Sequence, residues 1–170
     1  MIILVNNFDN KKFQATAKAI AAAPQNGVLP FHAKFSWKDG LMGNVNIRNF
    51  APLTLDEPQE LGGTNKGPNP VEYLMTGIAG CFSLGIVIGA SLEGVTIQDL
   101  KTEVDANLDM GVFFDAVHGG RHGIGDVAIK VYIKSDASKE QLDAIVHHSL
   151  EYSPVVNSLN ITVKAIIVQE

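Results

Sequence analysis

A chain of 170 residues has the length of one ordinary domain and can bury roughly 70% of its unfolded surface without a staple. Thirteen Lys and Arg against eighteen Asp and Glu give a net charge of -5, so no global basic field exists to draw in nucleic acid or an anionic membrane. The one cysteine, Cys81, excludes an internal disulfide and points to a reducing, cytoplasmic setting, where the thiol acts as nucleophile, redox group or packing.

The opening MIILVNNFDNKK has a short apolar run followed by its lysines, which is not the order of a signal peptide. Asp9 or Asn10 can cap a short helix in which Phe13, Ala17, Ile20 and Ala21 share a face, ended by Pro24 and Gly27. From Phe31 the period becomes two. Phe31, Ala33, Phe35 and Trp37 alternate with polar residues, Asp39-Gly40 supplies a turn, and Asn44 to Phe50 reads as the return strand, with Arg48 on the face opposite Val45 and Ile47. Ala51 to Pro70 is rich in Pro and Gly and predicts a long irregular connection.

Asn69-Pro70 then opens a helix that carries Glu72 to Glu93 and stops at Gly94. Its stretch from Tyr73 to Leu92 lacks any charge and is long enough to span a bilayer. Glutamates flank it without a Lys or Arg bias, and the rest of the chain is amphipathic, so a buried core helix is expected and no membrane partner.

Leu100, Thr102, Val104, Ala106 and Leu108 alternate with charged or amide residues as a half-exposed strand. The turn HGGRHG at 118–123 leads to a strand with Val127, Ile129, Val131 and Ile133 inward. Ser138 and Gln141 predict a capping box for a helix presenting Leu142, Ile145, Val146 and Leu150, which must finish before Pro154; Ile161 to Val168 closes the chain as a strand. The order indicates an α+β domain of antiparallel sheet with helices on one face, without repeats or a second domain.

In the central helix Gly77, Cys81, Gly85 and Gly89 recur every four residues and line one stripe. Each glycine costs about 1 kcal/mol relative to alanine, so another element must pack closely there. Cys81 is then either the small residue that fits this contact or a reactive thiol, which needs a cation to lower its pKa from about 8.5. Arg48, His147 and His148 are the candidate cations, each of which also reads as an ordinary surface residue. Other motifs fail on their own chemistry. The order in Gly62-Gly63-Thr64-Asn65-Lys66-Gly67 is wrong for a P-loop, His118 and His122 lack a third ligand at metal spacing, and Ser83 lacks the glycine of a nucleophile elbow.

The run DEPQELGGTNKGPNPVEYLMTGIAGCFSLGI, Asp56 to Ile86, resembles the signature of the OsmC/Ohr family. The segment Ser153 to Leu159, SPVVNSL, resembles its second motif, and Arg48 matches as well. The likeness runs from about Phe31 to the C-terminus. It implies one OsmC-like domain over residues 1–170, with 1–27 an N-terminal extension and 28–170 the core. It also implies antiparallel sheets wrapped around a central buried helix in an intertwined homodimer, whose paired helices would be the close neighbour the glycine stripe demands.

The implied activity is reduction of hydrogen peroxide or organic hydroperoxides without cofactor or metal. Cys81 is the implied peroxidatic thiol, Arg48 would stabilise the thiolate, Glu72 would hold the guanidinium, and Leu74, Ile78, Phe82 and Val155 would form an apolar pocket. Two departures stand out. Ser153 occupies the place of the second cysteine of the peroxidase branches, so reduction needs an external thiol. Val71 stands where those branches have glutamate, and Glu72 comes one residue, or about 100°, later. The alternatives are a weakly catalytic relative that binds a small apolar ligand in the interfacial pocket, and an acyl-transfer dyad of Cys81 with His147 or His148.

Overall fold

Alternation of apolar and polar residues becomes a hairpin in the first compact unit, residues 11–76. The computed structural model describes residues 4–159 and 161–169. Helix α1 (Asn10–Ala22) is followed by a 3-10 turn at Pro24–Gly27, and its stripe of Phe13 and Ile20 remains partly exposed. Strand β1 (Lys34–Asp39) pairs antiparallel with β2 (Met42–Asn46), a start three residues later than the alternation suggests. Facing pairs Phe35 with Val45 and Trp37 with Gly43 share one side of the sheet, and a Cβ on Gly43 would run into the Phe35 ring. Trp37 is 67% exposed, so this apolar side has no cover of its own.

The stretch after Phe50 departs from the expected irregular connection. Leu53–Leu55 forms a third strand, β3, antiparallel to β2. Three residues suffice at a sheet edge, and Pro52 stands just outside, where no amide is needed.

Asp56 follows at once and is 1% exposed. Its carboxylate accepts from the amides of Glu57 (2.8 Å), Thr64 (3.2 Å) and Lys66 (3.0 Å) and from the Thr64 hydroxyl (2.5 Å). The glycines of this loop are steric necessities: a Cβ on Gly63 would strike the Glu57 carbonyl, and one on Gly67 would lie 2.5 Å from the Thr54 oxygen. The loop thus folds around one anion, and its hydrogen bonds, that of Thr64 foremost and the Lys66 amide next, hold Asp56 down to about 2 from 3.8.

Helix α2 (Pro70–Leu92) begins in this unit and continues into the other, which comprises the N-terminal segment to Asn10 and residues from Gly77 onward. α2 is long and apolar enough to cross a membrane by length and composition, yet Ile78, Phe82, Ile86 and Ala90 are fully buried in the core of this second unit. It stops at Gly94, in the left-handed region (φ +77°), with the Val95 amide returning to the Ala90 carbonyl at 2.8 Å.

Strand β4 (Ile97–Asn107) lies antiparallel to β5 (Gly125–Ser135), with Leu100, Thr102 and Val104 facing Ile133, Val131 and Ile129. The short helix α3 (Met110–Phe113), capped by Asp109, interrupts the connection. Helix α4 (Lys139–Tyr152) starts with the expected capping box of Ser138 and Gln141. Its buried face is Leu142, Ile145, Val146 and Ser149, so a serine stands in the core beside the half-buried Leu150.

A single turn, α5 (Pro154–Asn157), leads to β6 (Lys164–Gln169), which pairs with β5 in parallel. The expectation of antiparallel sheet fails at this strand for a topological reason: α4 is a crossover that returns the chain to the end of the sheet from which β5 started.

The glycine stripe of α2 meets α4 and α5. A Cβ on Gly77 would sit 3.7 Å from Val155 and one on Gly89 would sit 3.3 Å from Ile145, while one on Gly85 would collide with the Ser149 hydroxyl. That hydroxyl donates to the Phe82 carbonyl at 2.7 Å. The close neighbours that the glycines demand are therefore α4 and α5 of the same chain. The expectation that a partner's copy of α2 fills this role is corrected.

The N-terminal segment is tied into the same unit. The Asn6 amide donates to Ser91 Oγ (3.0 Å) and the Val95 carbonyl (2.9 Å) and accepts from the Ile97 amide (2.8 Å), and Asn10 donates to the Ser91 carbonyl at 2.6 Å.

Two outcomes test this account. Substituting Gly85→Ala forces α2 and α4 apart and is expected to destabilise the protein by about 1–3 kcal/mol in denaturant titrations. Because the folded-state pKa of Asp56 lies below its unfolded value, its contribution is complete above pH 3.8 and is lost as pH falls towards about 2. The denaturation midpoint of the wild type should fall through that window. Asp56→Asn should lower the midpoint at neutral pH and flatten that part of its acid dependence.

Candidate active site around Cys81

Cys81 occupies the only non-glycine position of the stripe, half-buried, with its side chain turned towards the junction of α4 and α5. There the Ser153 hydroxyl donates to Cys81 Sγ at 3.2 Å. Ser153 is 4% exposed, and its oxygen accepts from the Val156 amide at 3.3 Å, so it caps α5 as well as touching the sulfur. Pro154 fits the first turn of α5, and the Asn157 side chain donates to the Glu151 and Ser153 carbonyls, both at 2.8 Å. These bonds give each polar residue of the Ser-Pro-Val-Val-Asn run a local structural reason. Two sequence segments 72 residues apart are thereby brought to one sulfur atom.

The expected pocket is only partly present in this unit. Ile78 and Phe82 are fully buried in the core and offer no surface to a cavity. Val155 is half-buried beside Gly77, in reach of the cysteine's helix. Leu74, about two turns before Cys81 and in the unit of residues 11–76, is partly exposed. Exposed apolar residues continue along α2 at Leu84 (63% exposed) and Leu92, and among the described residues nothing comes within 4 Å of a Cβ placed on Gly80.

His147 and His148 are both exposed, and His148 stacks on Tyr152 with ring centroids 4.4 Å apart. The face that α4 turns to the cysteine's helix consists of Ile145 and Ser149, followed by Ser153. A Cys81 dyad with either histidine is not formed here.

Arg48 and Glu72 belong to the other unit. The strand expected to carry Arg48 ends at Asn46, and Arg48 sits in a turn in left-handed conformation (φ +49°), a correction to its expected place on a strand face. The reason is local. The Phe50 amide bonds back to the Ile47 carbonyl at 3.2 Å, and the Arg48 guanidinium lies 4.6 Å from the centroid of the Phe50 ring. An apolar groove of about 740 Å³, lined by Leu29, Phe31, Ile47 and Arg48 among others, opens beside it.

Glu72 is occupied at the start of α2. Its carboxylate accepts from the Asn69 amide at 2.7 Å while Asn69 Oδ1 accepts from the Glu72 amide at 2.9 Å, a reciprocal capping box. Among the described residues no ion pair joins Arg48 and Glu72. The sequence signal for this use of Glu72 is Asn69 three residues before it, the ordinary spacing of a capping box. Ser149 was equally legible, four residues before Ser153 on the apolar face of α4, although hydrophobic periodicity alone passes over it.

The family model described as "OsmC-like protein" matches residues 63–167, which includes both the cysteine helix and the Ser153 segment. A search of curated proteins finds no match to the sequence. Solved structures do resemble this one. An OsmC-like protein from Mycoplasma pneumoniae superposes with a TM-score of 0.72 at 18% identity, covering 83% of this chain and 97% of that one. An organic hydroperoxide resistance protein OsmC from Legionella pneumophila gives 0.60 at 22% identity, covering 82% and 97%. The organic hydroperoxide resistance protein OhrB of Bacillus subtilis gives 0.53 at 19% identity, covering 81% and 98%. At these identities the superpositions speak to the fold, and the family match extends over well more than half of the chain: the protein belongs to the OsmC family.

Proposed function

We propose that the protein is a thiol-dependent hydroperoxide reductase in which Cys81 is the peroxidatic residue. The observation that carries this reading is the meeting of Cys81 with Ser153, which assembles the two family motifs around one sulfur. Support also comes from the names of the Legionella and Bacillus proteins, both of organic hydroperoxide resistance.

In the proposed reaction Sγ attacks one oxygen of the substrate ROOH and the O–O bond breaks. The departing RO⁻ takes a proton and leaves as an alcohol, and Cys81 becomes a sulfenic acid. A serine at 153 cannot close a disulfide. An external thiol therefore attacks the sulfenic sulfur, water departs, and a second thiol releases Cys81 from the mixed disulfide. A cytoplasm rich in small thiols suits this cycle. Arg48 would supply the cation that orients the peroxide and favours the anionic sulfur. Glu72, committed to its helix cap, would act on Arg48 only through its second carboxylate oxygen.

The proposal includes a homodimer. Leu84 and Leu92 lie exposed on a helix with no charged residue between Tyr73 and Leu92, the kind of apolar surface that a second subunit covers. Leu74 and Val155 would then form the apolar wall, with the rest of it from the partner. Residues 1–170 are read as a single domain, since the family match runs across the boundary between the two units.

A second reading, a weakly catalytic binder of a small apolar ligand, finds support in the groove beside Arg48. Stopped-flow mixing of the purified protein with cumene hydroperoxide, t-butyl hydroperoxide or hydrogen peroxide, with dithiothreitol as reductant, separates the two. Turnover abolished in Cys81→Ser and lowered about a hundredfold in Arg48→Ala is expected of the peroxidase. An inert thiol in a protein that purifies with a bound apolar molecule would leave the binder. Sedimentation velocity should give twice the 18.2 kDa chain mass, and Leu84→Lys should shift the population towards the monomer.

A further inference from the structure

We propose that Ser153 is the positioning residue of Cys81, holding the sulfur through a hydroxyl hydrogen bond where a covalent partner would otherwise stand. The proposal rests on the reading of Cys81 as the reacting thiol.

A serine hydroxyl has one proton and two lone pairs. The Val156 amide points at the oxygen (3.3 Å), and the proton points at Cys81 Sγ (3.2 Å). An oxygen that accepts from an amide is a better donor, because successive hydrogen bonds polarise one another. At 4% exposure, water has little access to compete for either bond.

The hydroxyl's location is over-determined. Pro154 and the α5 turn fix the backbone after it, Asn157 ties its carbonyl, and Gly77 lets Val155 approach α2 closely. An O–H donor of this kind favours whichever state of the sulfur carries negative charge. It also follows the sulfur without bonding to it, so that an oxidised Cys81 stays open to an external thiol.

The test uses the full-length protein. Ser153→Gly removes the hydroxyl, and glycine at a helix N-cap costs only a few tenths of a kcal/mol relative to serine. Ser153→Thr restores a hydroxyl. Alkylation of Cys81 by iodoacetamide at pH 7, without peroxide, is expected to slow about tenfold in Ser153→Gly and to recover to near the wild-type rate in Ser153→Thr, with similar thermal midpoints in all three. Equal alkylation rates in wild type and Ser153→Gly would overturn the proposal.

Ser153→Cys gives a second measure that does not depend on the hydroxyl. Treated with diamide, it should lose two hydrogen atoms from its intact mass as a disulfide closes between positions 81 and 153, and a folded variant that stays reduced would also overturn the proposal. If the alkylation results hold while no hydroperoxide is consumed, the hydroperoxide reading falls and the positioning role remains.

Discussion

The close approach of α2 to α4 is the contact on which the rest of the second unit depends. It exists because three positions of α2 lack a Cβ, which lets Ile145, Ser149 and Val155 come down almost onto the backbone of the helix. The glycines lower the intrinsic helicity of α2, and burial of its apolar side against sheet and α4 offsets that cost. The same geometry sets where the chain can go after α4. A helix seated this low ends with Ser153 level with Cys81, so the hydrogen bond to the sulfur is a by-product of helix packing. A wider interhelical distance would leave the thiol beside a void or water.

The acidic residues of the cysteine-helix region are used for architecture. Asp56 folds its loop around a buried carboxylate, and Glu72 closes a capping box with Asn69. Both are anions satisfied mainly by backbone amides, the donors a chain always has at hand in a loop or at a helix start. This arrangement keeps negative charge engaged locally and leaves the guanidinium of Arg48 resting on an aromatic ring. An arginine held by a ring quadrupole is held weakly compared with one in a bidentate carboxylate pair, and its conformation can change at small cost.

Much of this is legible in the sequence. The alternation of β4 and β5, the capping box at Ser138, the stop at Gly94 and the demand of the glycine stripe for a neighbour all follow from local chemistry, and each is present. What periodicity could not supply was the identity of that neighbour, because a stripe of small residues specifies a distance and not a partner. Three residues directly after Pro52 carry almost no pattern to announce β3, and the parallel pairing of β6 depends on where a crossover returns, which is a property of topology. At the site, Cys81 stands out as the lone cysteine on the glycine stripe, whereas Ser153 is marked only by motif likeness. The alternation that places Arg48 on a strand running to Phe50 stops at Asn46, four residues short, where a turn with Arg48 in the left-handed region takes over.

The clip made by Asn6 and Asn10 joins residues 81 to 91 positions apart in the chain. During synthesis Asn6 and Asn10 emerge long before their partners at the end of α2 and the start of β4 exist. At ordinary translation speeds of roughly 5–20 residues per second, they wait several seconds with nothing to dock on. The second unit is thus closed by a segment made well before its partners, and the docking of that segment is a late step.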